Sequence, residues 1–570
     1  MRVPVGLLGV FLVLASGCTS DPDVPAPGDG GANDAPKGDA PLGDAGVDAG
    51  PRADEAPPLP NGPRFYVSPS GDDQAGDGSK AKPWKTLFKA TSTVTTPKAT
   101  IELLPGTYVE SQTSTLAVGV NLIGAGDSSV VRSTLTARFK AVLELTSPEG
   151  TDGDQQILNL KFDGTSLATS VGVVVAGRSN VSMHHCTVVD FRDVGVNFSG
   201  IQSWTGPVAP TTYATGNKFY RNVVKNSSIY DGYGTGCVQF GGQRGFVMHD
   251  NDVAQPSRGK GGQGVGWPVK MANEGHVIDC KIYDNTLTKA PFTGAYGGDQ
   301  GFNFAVEFWN VEGMEVMRNT IQGAIDFANV KKSSTSKHGL HFHDNTVQET
   351  TLQSGYEDGL FLETDELDVL IESNTFRNLS SGVAFAPHDY TSNGVGIDVH
   401  RITIQKNLFE GIGFKGGGQG AAVRWHNTDF NPETKVSDVA FFANTVVAAP
   451  GADAALVGIG LPGYQGPTHS SQISVIDNIV RGFSYATLTG QFAMSNVVVK
   501  NNLFFQNGSG DDPVFSVAPS PYTTANNIKA DPKFTTGFAL LPASPAVNAG
   551  IDVGLPFLGT APDLGAFESF

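Results

Sequence analysis

The chain has 570 residues, and its 56 acidic residues outnumber its 38 lysines and arginines, giving a formal net charge of −18 at pH 7. Proteins that bind nucleic acid need cations to neutralise phosphates, so this balance excludes nucleic acid as an expected partner. Net charge carries little information about the fold, which has to be inferred from sequence patterns.

The first 18 residues have the pattern of an export signal. Arg2 precedes an apolar run from Val5 to Leu14, which is followed by Ala-Ser-Gly and then Cys18. Residues 1–18 resemble a bacterial lipoprotein signal peptide, whose cleavage leaves Cys18 as a lipidated N-terminus. An ordinary secretory signal with an incidental cysteine is the alternative. Because no Asp directly follows Cys18, the resemblance implies a protein at the outer membrane or cell surface, anchored only through its lipid.

Residues 19–63 are rich in Pro, Gly, Ala and Asp and contain almost no large apolar side chain. Such a segment cannot offset the conformational entropy lost on folding. Its acids outnumber its bases, so self-repulsion is expected to extend it. We therefore predict a disordered tether over residues 19–63, ahead of a folded body at residues 64–505 and a C-terminal cap segment at residues 506–570.

The body repeats a short pattern in which an Asn is followed by a pair of β-branched or apolar residues, as in Asn319-Thr320-Ile321. The repeated Asn residues are Asn222, Asn251, Asn285, Asn319, Asn345, Asn374, Asn407, Asn444, Asn478 and Asn502. Their spacing runs from 24 residues, Asn478 to Asn502, to 37 residues, Asn407 to Asn444. A period of this size with loops of variable length is typical of a solenoid.

An Asn at a repeated corner has a physical cause, because Asn tolerates the left-handed backbone of a tight bend and its amide can bond to the Asn stacked above. In this pattern the chain resembles the right-handed parallel β-helix proteins of the pectate-lyase type, whose coils carry an Asn ladder between their second and third strands. The resemblance implies an all-β fold, a single-chain right-handed parallel β-helix.

The two ends of the body have the features of caps. Arg64 to Val67, an acidic turn and an amphipathic helix around Trp84 to Thr93 resemble the N-terminal helical cap of secreted β-helix proteins, which protects an open strand edge. Acids in that turn, Asp72, Asp73 and Asp77, indicate either a calcium site or only a turn. The C-terminal phrases SPAVNAG and DLGAFE resemble a choice-of-anchor segment.

The functional argument rests on aligned first strands, such as WPVKMAN, AVEFWN and AIDFAN. In each strand the residues beside the centre are apolar and face the core, so the central residue faces outward. This alignment predicts one column across successive coils, consisting of Gln239, Lys270, Glu307, Asp326, Phe361, Ala384 and Arg424. A second column, two residues further on, contains Trp309, Glu363 and His426.

Cations, acids and an aromatic side chain on one face suit an acidic polysaccharide. By resemblance to β-helix lyases, which act by β-elimination, Lys270 would be the base. Glu307, Asp326 and Glu363 would handle a metal or the substrate carboxylate. Substrate would bind Gln239, Trp309, Arg424 and His426. Three alternatives remain open, namely a plain cross-strand ion pair, a hydrolase with two carboxylates, and a non-catalytic glycan-binding adhesin.

Two further motifs suggest site residues. Ala386-Pro-His388-Asp389 resembles the Asp-Pro-His-Asp motif of alginate-type carbon-5 epimerases, with Ala386 replacing the first Asp; the resemblance implies His388 as a base and Asp389 as its orienting acid. The acidic run from Gly355 to Asp368 is either a solvated edge or a calcium site. The calcium ligands would be Glu357, Asp358, Glu363 and Asp365. No organic cofactor is expected.

Three cysteines lie within the coils. Cys186 occupies the position of a corner Asn, which predicts a small buried residue there. An exported chain permits a disulfide, and Cys237 and Cys280 are one possible pair. No Cys and His residues have the spacing of a zinc site. We expect the protein to be a monomer.

Overall fold

The computed structural model describes residues 54–228, 235–255, 266–289, 304–349, 358–387, 397–413, 420–425, 434–450, 455–462, 469–488, 494–508, 512–515 and 517–569. Nearly all of its regular structure is β-strand, and each strand pairs in parallel with its counterpart one coil later. Three faces result, which we call the first, second and third sheets. Among these residues, none forms a helix of the length and apolarity needed to cross a membrane.

The first sheet begins each coil. Its strands are Ser114–Thr115, Val194–Ser199, Gly236–Gly241, Trp267–Met271, Phe304–Trp309, Ala324–Val330, Ser381–Ala386, Gly420–Trp425, Ala455–Gly460 and Tyr485–Leu488. Four long strands bend through more than one sheet, and the beginnings of the last three belong to this face. They are Asn121–Ser133, Ala141–Asp163, Val171–His184 and Asp358–Glu372.

The second sheet includes the N-terminal edge of the solenoid. Its strands are Arg64–Val67, Thr100–Leu103, Lys218–Tyr220, Val247–His249, Lys281–Tyr283, Met314–Met317, Leu340–His343, Asp398–Gln405, Lys435–Phe442, His469–Ile476, Met494–Lys500 and Tyr522–Ala525. A short extra ladder lies between the first two sheets in the middle coils. It consists of Ala214–Thr215, Gln243–Arg244, Val277–Ile278 and Val311–Glu312.

The third sheet completes each coil. Its strands are Gly106–Glu110, Thr187–Val189, Val223–Lys225, Asp252–Gln255, Thr286–Lys289, Thr320–Gln322, Thr346–Gln348, Thr375–Arg377, Leu408–Ile412, Thr445–Ala448, Ile479–Arg481 and Leu503–Phe505. The three sheets enclose a continuous apolar core that includes Phe308, Phe327, Phe342 and Phe376. These observations confirm the predicted right-handed parallel β-helix.

The predicted Asn ladder is present between the second and third sheets. Asn345 Oδ1 accepts hydrogen bonds from both the backbone N–H and the Nδ2 of Asn319, each at 2.9 Å. The same pair of bonds repeats from Asn222 onward and continues past Asn502 to Asn527. Cys186 begins the series as a buried residue whose N–H donates to Asn222 Oδ1 at 2.9 Å. Its predicted position at a corner is confirmed.

The backbone reason given for the Asn corner needs a correction. The left-handed residue is the one before each Asn, as at Arg318 and Asp344 with φ of 52° and 56°. Asn319 and Asn345 themselves are not left-handed. The ladder therefore selects Asn for its amide, which donates and accepts between coils, and not for its tolerance of positive φ.

The N-terminal cap contains the helix Leu87–Thr93, with Thr86 as its N-cap. Leu87 and Ala90 are buried against the first coils, so the predicted helical cap is confirmed. The carboxylates of the preceding turn accept backbone N–H groups, including those of Gln74 and Ala75 at Asp72, and of Lys85 and Thr86 at Asp73. These bonds account for the acids as turn-forming residues.

Both ends of the body depart from the expected boundaries. Residues before 64 already contact the solenoid, since Ala56 N–H donates to the Tyr220 hydroxyl at 3.0 Å and Glu55 pairs with Arg221. At the other end the coil continues through the strand Tyr522–Ala525. The chain beyond it packs on the outside of the third sheet, where Leu540 and Leu564 join an apolar cluster. Cys186, Cys237 and Cys280 are free, buried thiols.

Candidate functional site

The register of the first sheet places the expected column side by side. Gln239 pairs with Lys270, Lys270 with Glu307, and Glu307 with Asp326. The column continues through Phe361 and Ala384 to Arg424. Neighbouring strands are about 4.8 Å apart, so consecutive side chains of the column are in direct reach of one another.

The column points away from the apolar core, but it is not exposed as expected. Lys270 is 6% exposed, Glu307 8% and Asp326 3%. An outer apolar cluster of Trp267, Phe304 and Ala324, with Phe361 packed on it, lies on the same side of the sheet. The cross-strand ion pair of Lys270 and Glu307 is present but buried, because outward direction from a solenoid core does not ensure contact with water.

Lys270 is held by two neighbours. Its ammonium forms an ion pair with the Glu307 carboxylate. The same ammonium lies over the Trp267 ring, 4.0 Å from the ring centroid. Both contacts are those of a lysine that acts as a cation. The Lys270 ammonium is thus already engaged by the protein, which makes it a poor candidate for the general base.

Asp326 is a carboxyl whose environment strongly favours protonation. Burial raises its pKa well above the usual value, and the charges of Glu363 and Glu307 raise it further. The Lys270 charge and the Trp309 indole act in the opposite direction but are smaller effects. We name Lys270, Glu307, Asp326 and Glu363 the first-sheet cluster.

Two residues further along each strand lies the second column. Trp309 pairs in register with Ala328, and Ala328 with Glu363. Glu363 is therefore diagonal to Asp326, which explains why its charge acts on the Asp326 carboxyl. Trp309 is half-buried, so part of its indole faces outward beside the cluster. An aromatic face next to carboxyl groups is an arrangement suited to a sugar ring.

The cluster is flanked by two other predicted binding residues. Gln239 Nε2 lies 3.4 Å from the Met271 carbonyl. Arg424 Nη2 donates to Asp358 Oδ2 at 2.7 Å, across the intervening strand Ser381–Ala386. The Arg424 guanidinium is nearly as buried as the cluster, so this pair is a fixed part of the face.

The described residues of the expected calcium set, Asp358, Glu363 and Asp365, do not converge on one point. Asp358 and Glu363 lie five residues apart in one extended strand, a distance of roughly 16 Å at 3.3 Å per residue. Asp358 is paired with Arg424, and Asp365 Oδ1 accepts the Asp398 N–H at 2.7 Å. Residues this far apart do not share one ion, so the arrangement does not fit a calcium site built from this set.

Glu366 is a buried acid that sequence reasoning missed. Its register partners, Val330 and Val399, both belong to the apolar core, and the side chain is 1% exposed. Neither carboxyl oxygen has a hydrogen-bond partner among the described residues. Burial raises the Glu366 pKa well above its usual value, and the charge of Asp326 adds to this. Glu366 is four residues after Leu362, which faces the core, so the two-residue period of the strand puts this acid on the same inward side.

Several predicted site residues lie outside the described residues. They are Cys18, Glu357, His388, Asp389 and His426. Their roles in lipidation, calcium binding, proton transfer and substrate binding stay predictions.

The comparisons with known proteins show no family for this chain. No family model and no curated protein matches the sequence. Similar solved structures include the surface adhesin PfbA of Streptococcus pneumoniae, at 10% identity, covering 75% of this chain and 83% of that chain, with a TM-score of 0.34. A tailspike protein of E. coli bacteriophage HK620 is 12% identical over 78% of this chain and 79% of that chain, with a TM-score of 0.46. Pectate lyase Pel9A is 13% identical over 90% and 97% respectively, with a TM-score of 0.29.

Proposed function

We propose that this protein acts on an acidic polysaccharide at the first-sheet cluster and cleaves it by hydrolysis. Asp326 donates the proton to the glycosidic oxygen, and Glu307 is the ionised carboxylate beside it. Trp309 offers a face to a sugar ring, and Arg424 is the cation for a substrate carboxylate further along the column. Neutral polysaccharides are the control substrates against which the preference for an acidic polysaccharide is measured.

The observation that carries the proposal is the contrast between two neighbouring carboxyls. Asp326 is buried next to Glu363 and Glu307, so its pKa is raised well above the usual value. Glu307 forms an ion pair with the Lys270 ammonium. Glycoside hydrolysis requires one carboxyl that holds a proton near neutral pH and a second that does not. Asp326 and Glu307 lie on adjacent strands of one sheet, which holds the two carboxyls side by side.

β-Elimination is the second candidate. The protonated Asp326 and the Lys270 ammonium lie in one column, and together they could neutralise a uronate carboxylate. The base of that reaction would have to be a residue other than Lys270, because the Lys270 ammonium is already engaged by Glu307 and Trp267. Hydrolysis needs no such additional residue, and we favour it for this reason.

The test is incubation of the purified protein with a panel of acidic and neutral polysaccharides. Hydrolysis gives new reducing ends alone, whereas β-elimination also gives the ultraviolet absorbance of an unsaturated uronate. Asp326→Asn is expected to lower the hydrolytic rate about 10²-fold or more, the effect of losing a general acid. Asp398→Asn, which alters an exposed acid on the second sheet, is the matched control.

Each result has a defined meaning. An Asp326→Asn protein that retains more than about a tenth of the wild-type rate would show that Asp326 is not the acid. Ultraviolet absorbance from an unsaturated uronate would show that the reaction is β-elimination and not hydrolysis. Binding without cleavage of any polysaccharide would favour the non-catalytic glycan-binding alternative.

We also propose that the protein is exported and held at the outer membrane or cell surface by lipid on Cys18. The pattern Arg2, Val5 to Leu14 and Cys18 supports this location. Fractionation of cells producing the chain with its own N-terminus tests it. Cys18→Ala should move the protein out of the membrane fraction, and an unchanged distribution would contradict lipid anchoring.

A further inference from the structure

A second cluster of chemically active side chains lies on the outer face of the second sheet. Glu315 comes from the strand Met314–Met317, and His341 and His343 come from the next strand, Leu340–His343. Glu315 pairs in register with His341, and His343 pairs with Glu372 on the following strand. The two histidines are separated by Phe342, which faces the core, so both imidazoles are on the same outer side.

The ligand atoms of this cluster converge on one point. One side-chain ligand atom each from Glu315, His341 and His343 lies within 4.8 Å of the others. His343 Nε2 is 3.4 Å from Glu315 Oε1, which is long for a charged hydrogen bond. In a tetrahedral site with metal–ligand bonds of about 2.05 Å, two ligand atoms are about 3.4 Å apart, which is the same distance. All three side chains are half-buried, so an ion can enter from solvent.

A carboxylate contacts the ring of each histidine. Asp344 Oδ2 is 2.8 Å from His343 Nδ1, on the opposite side of the ring from Glu315. Glu372 Oε1 is 2.7 Å from His341 Nε2. Carboxylates in this position orient metal-binding imidazoles and raise their basicity.

We propose that Glu315, His341 and His343 bind a divalent transition-metal ion, with Zn²⁺ as the ion that the donor set fits best. Two imidazoles and one carboxylate are typical zinc ligands, and the fourth position is left for water. Calcium and magnesium require mainly oxygen ligands and do not fit.

The site would join consecutive coils of the solenoid. The three ligands come from two adjacent strands, and Glu372 extends the cluster to a third. Because the ion binds the folded protein, it stabilises the coils by mass action. The site is on a different sheet from Asp326, so this inference does not depend on the proposed hydrolysis.

The sequence did not indicate this site, because its ligands lie at short spacing on one strand and 26 residues away on another, Glu315 to His341. Within the part of the chain that the structure describes, no other group of three His, Cys, Asp or Glu side chains converges in this way. His400 lies on the same sheet, and its Nδ1 is 3.2 Å from Asp398 Oδ1. Asp398 is the one carboxylate paired with His400 among the described residues, so His400 serves as the control.

The experiment uses untagged protein treated with a chelator and then titrated with Zn²⁺ and, separately, Co²⁺. We expect one equivalent of either ion to bind, a rise in melting temperature with Zn²⁺, and the visible absorption of four-coordinate Co²⁺. Replacing a ligand, in His343→Ala or Glu315→Gln, should weaken binding about 100-fold or more, and Asp344→Asn about 10- to 100-fold. His400→Ala should bind as the wild type does.

Three outcomes would overturn the proposal. The first is less than one equivalent of Zn²⁺ bound by the wild type at micromolar concentrations. The second is equal affinity in the wild type and in both ligand variants, which would assign binding to other surface groups. The third is Ca²⁺ or Mg²⁺ raising the melting temperature as much as Zn²⁺ does.

Discussion

Lys270 and Glu307 form a buried ion pair between adjacent strands of the first sheet. Taking two charges out of water is costly, and their attraction offsets the cost only while both are present. Glu307 has Lys270 on one side in the column and Asp326 on the other. Lys270 therefore has a structural task as the countercharge of the cluster, in addition to any contact with substrate.

Removal of Lys270 alone should destabilise the fold. Lys270→Ala leaves Glu307 buried without its countercharge, and the expected loss in the free energy of unfolding is about 3–5 kcal/mol. This expectation replaces the sequence-based one of about 0–1 kcal/mol for an exposed pair. Urea unfolding measures the difference. The double variant Lys270→Met with Glu307→Gln is the control, and it should recover most of the loss; a single variant within 1 kcal/mol of wild type contradicts the buried pair.

Glu366 is expected to limit stability. Its carboxyl lies in the core, with no hydrogen-bond partner among the described residues. Glu366→Met replaces it with an apolar side chain of similar size, and should raise the free energy of unfolding by about 1–3 kcal/mol at neutral pH. Urea unfolding is the measurement, with Glu410→Met on the outer face of the third sheet as control. A stability loss would mean that Glu366 is hydrogen-bonded in solution.

The middle of the Asn ladder should be sensitive to truncation. Asn319 Nδ2 donates to the carbonyls of Ile282 and Met317 and to Asn345 Oδ1, while its Oδ1 accepts from Asn285. Asn319→Ala leaves buried partners unpaired and should lower the free energy of unfolding by about 1–3 kcal/mol.

Thermal melting of Asn319→Ala and of Thr320→Ala makes the comparison within one corner. Thr320 is the next residue and is exposed, so its truncation should change the melting temperature little. Equal melting temperatures for the two variants would mean that the ladder does not stabilise the solenoid.

Asp477 should make stability depend on pH. Its carboxyl accepts the Ile551 N–H at 3.0 Å and is buried under the C-terminal segment. Burial raises its pKa from 3.8 to about 7. The folded state therefore binds the proton more tightly than the unfolded state does, and the stability due to protonated Asp477 is lost as pH rises from about 4 to about 7.

The matched variant is Asp477→Asn, which keeps the shape and removes the titration. It should match wild type near pH 4 and exceed it above pH 7 by at most about 4 kcal/mol, at 1.4 kcal/mol per pKa unit. Melting temperature measured against pH for both proteins gives the difference. Parallel curves would show that folding does not raise the Asp477 pKa.

The fold was predictable because its causes are local and repeated. A corner Asn every coil, with apolar residues alternating on both sides, is visible in sequence, and one copy of the pattern predicts the next. The same alternation also predicted which residues share a column, and the register of Lys270, Glu307 and Asp326 agrees with it. The two-residue period of a strand determines whether each side chain points toward the core or away from it.

The direction of a side chain relative to the core did not determine its burial. Burial is set by tertiary contacts. Only the folded chain puts Trp267 and Phe304 beside Lys270, and thereby turns an expected surface ion pair into a buried one. Only the structure shows that Glu366, between the core residues Val330 and Val399, is fully buried. The Glu315, His341 and His343 cluster also required structure, because the distance between side chains on neighbouring coils depends on loop lengths that no periodic rule predicts. Sequence alternation thus determined which side of each strand a residue occupies, and tertiary structure decided its exposure and its partners, which control its charge.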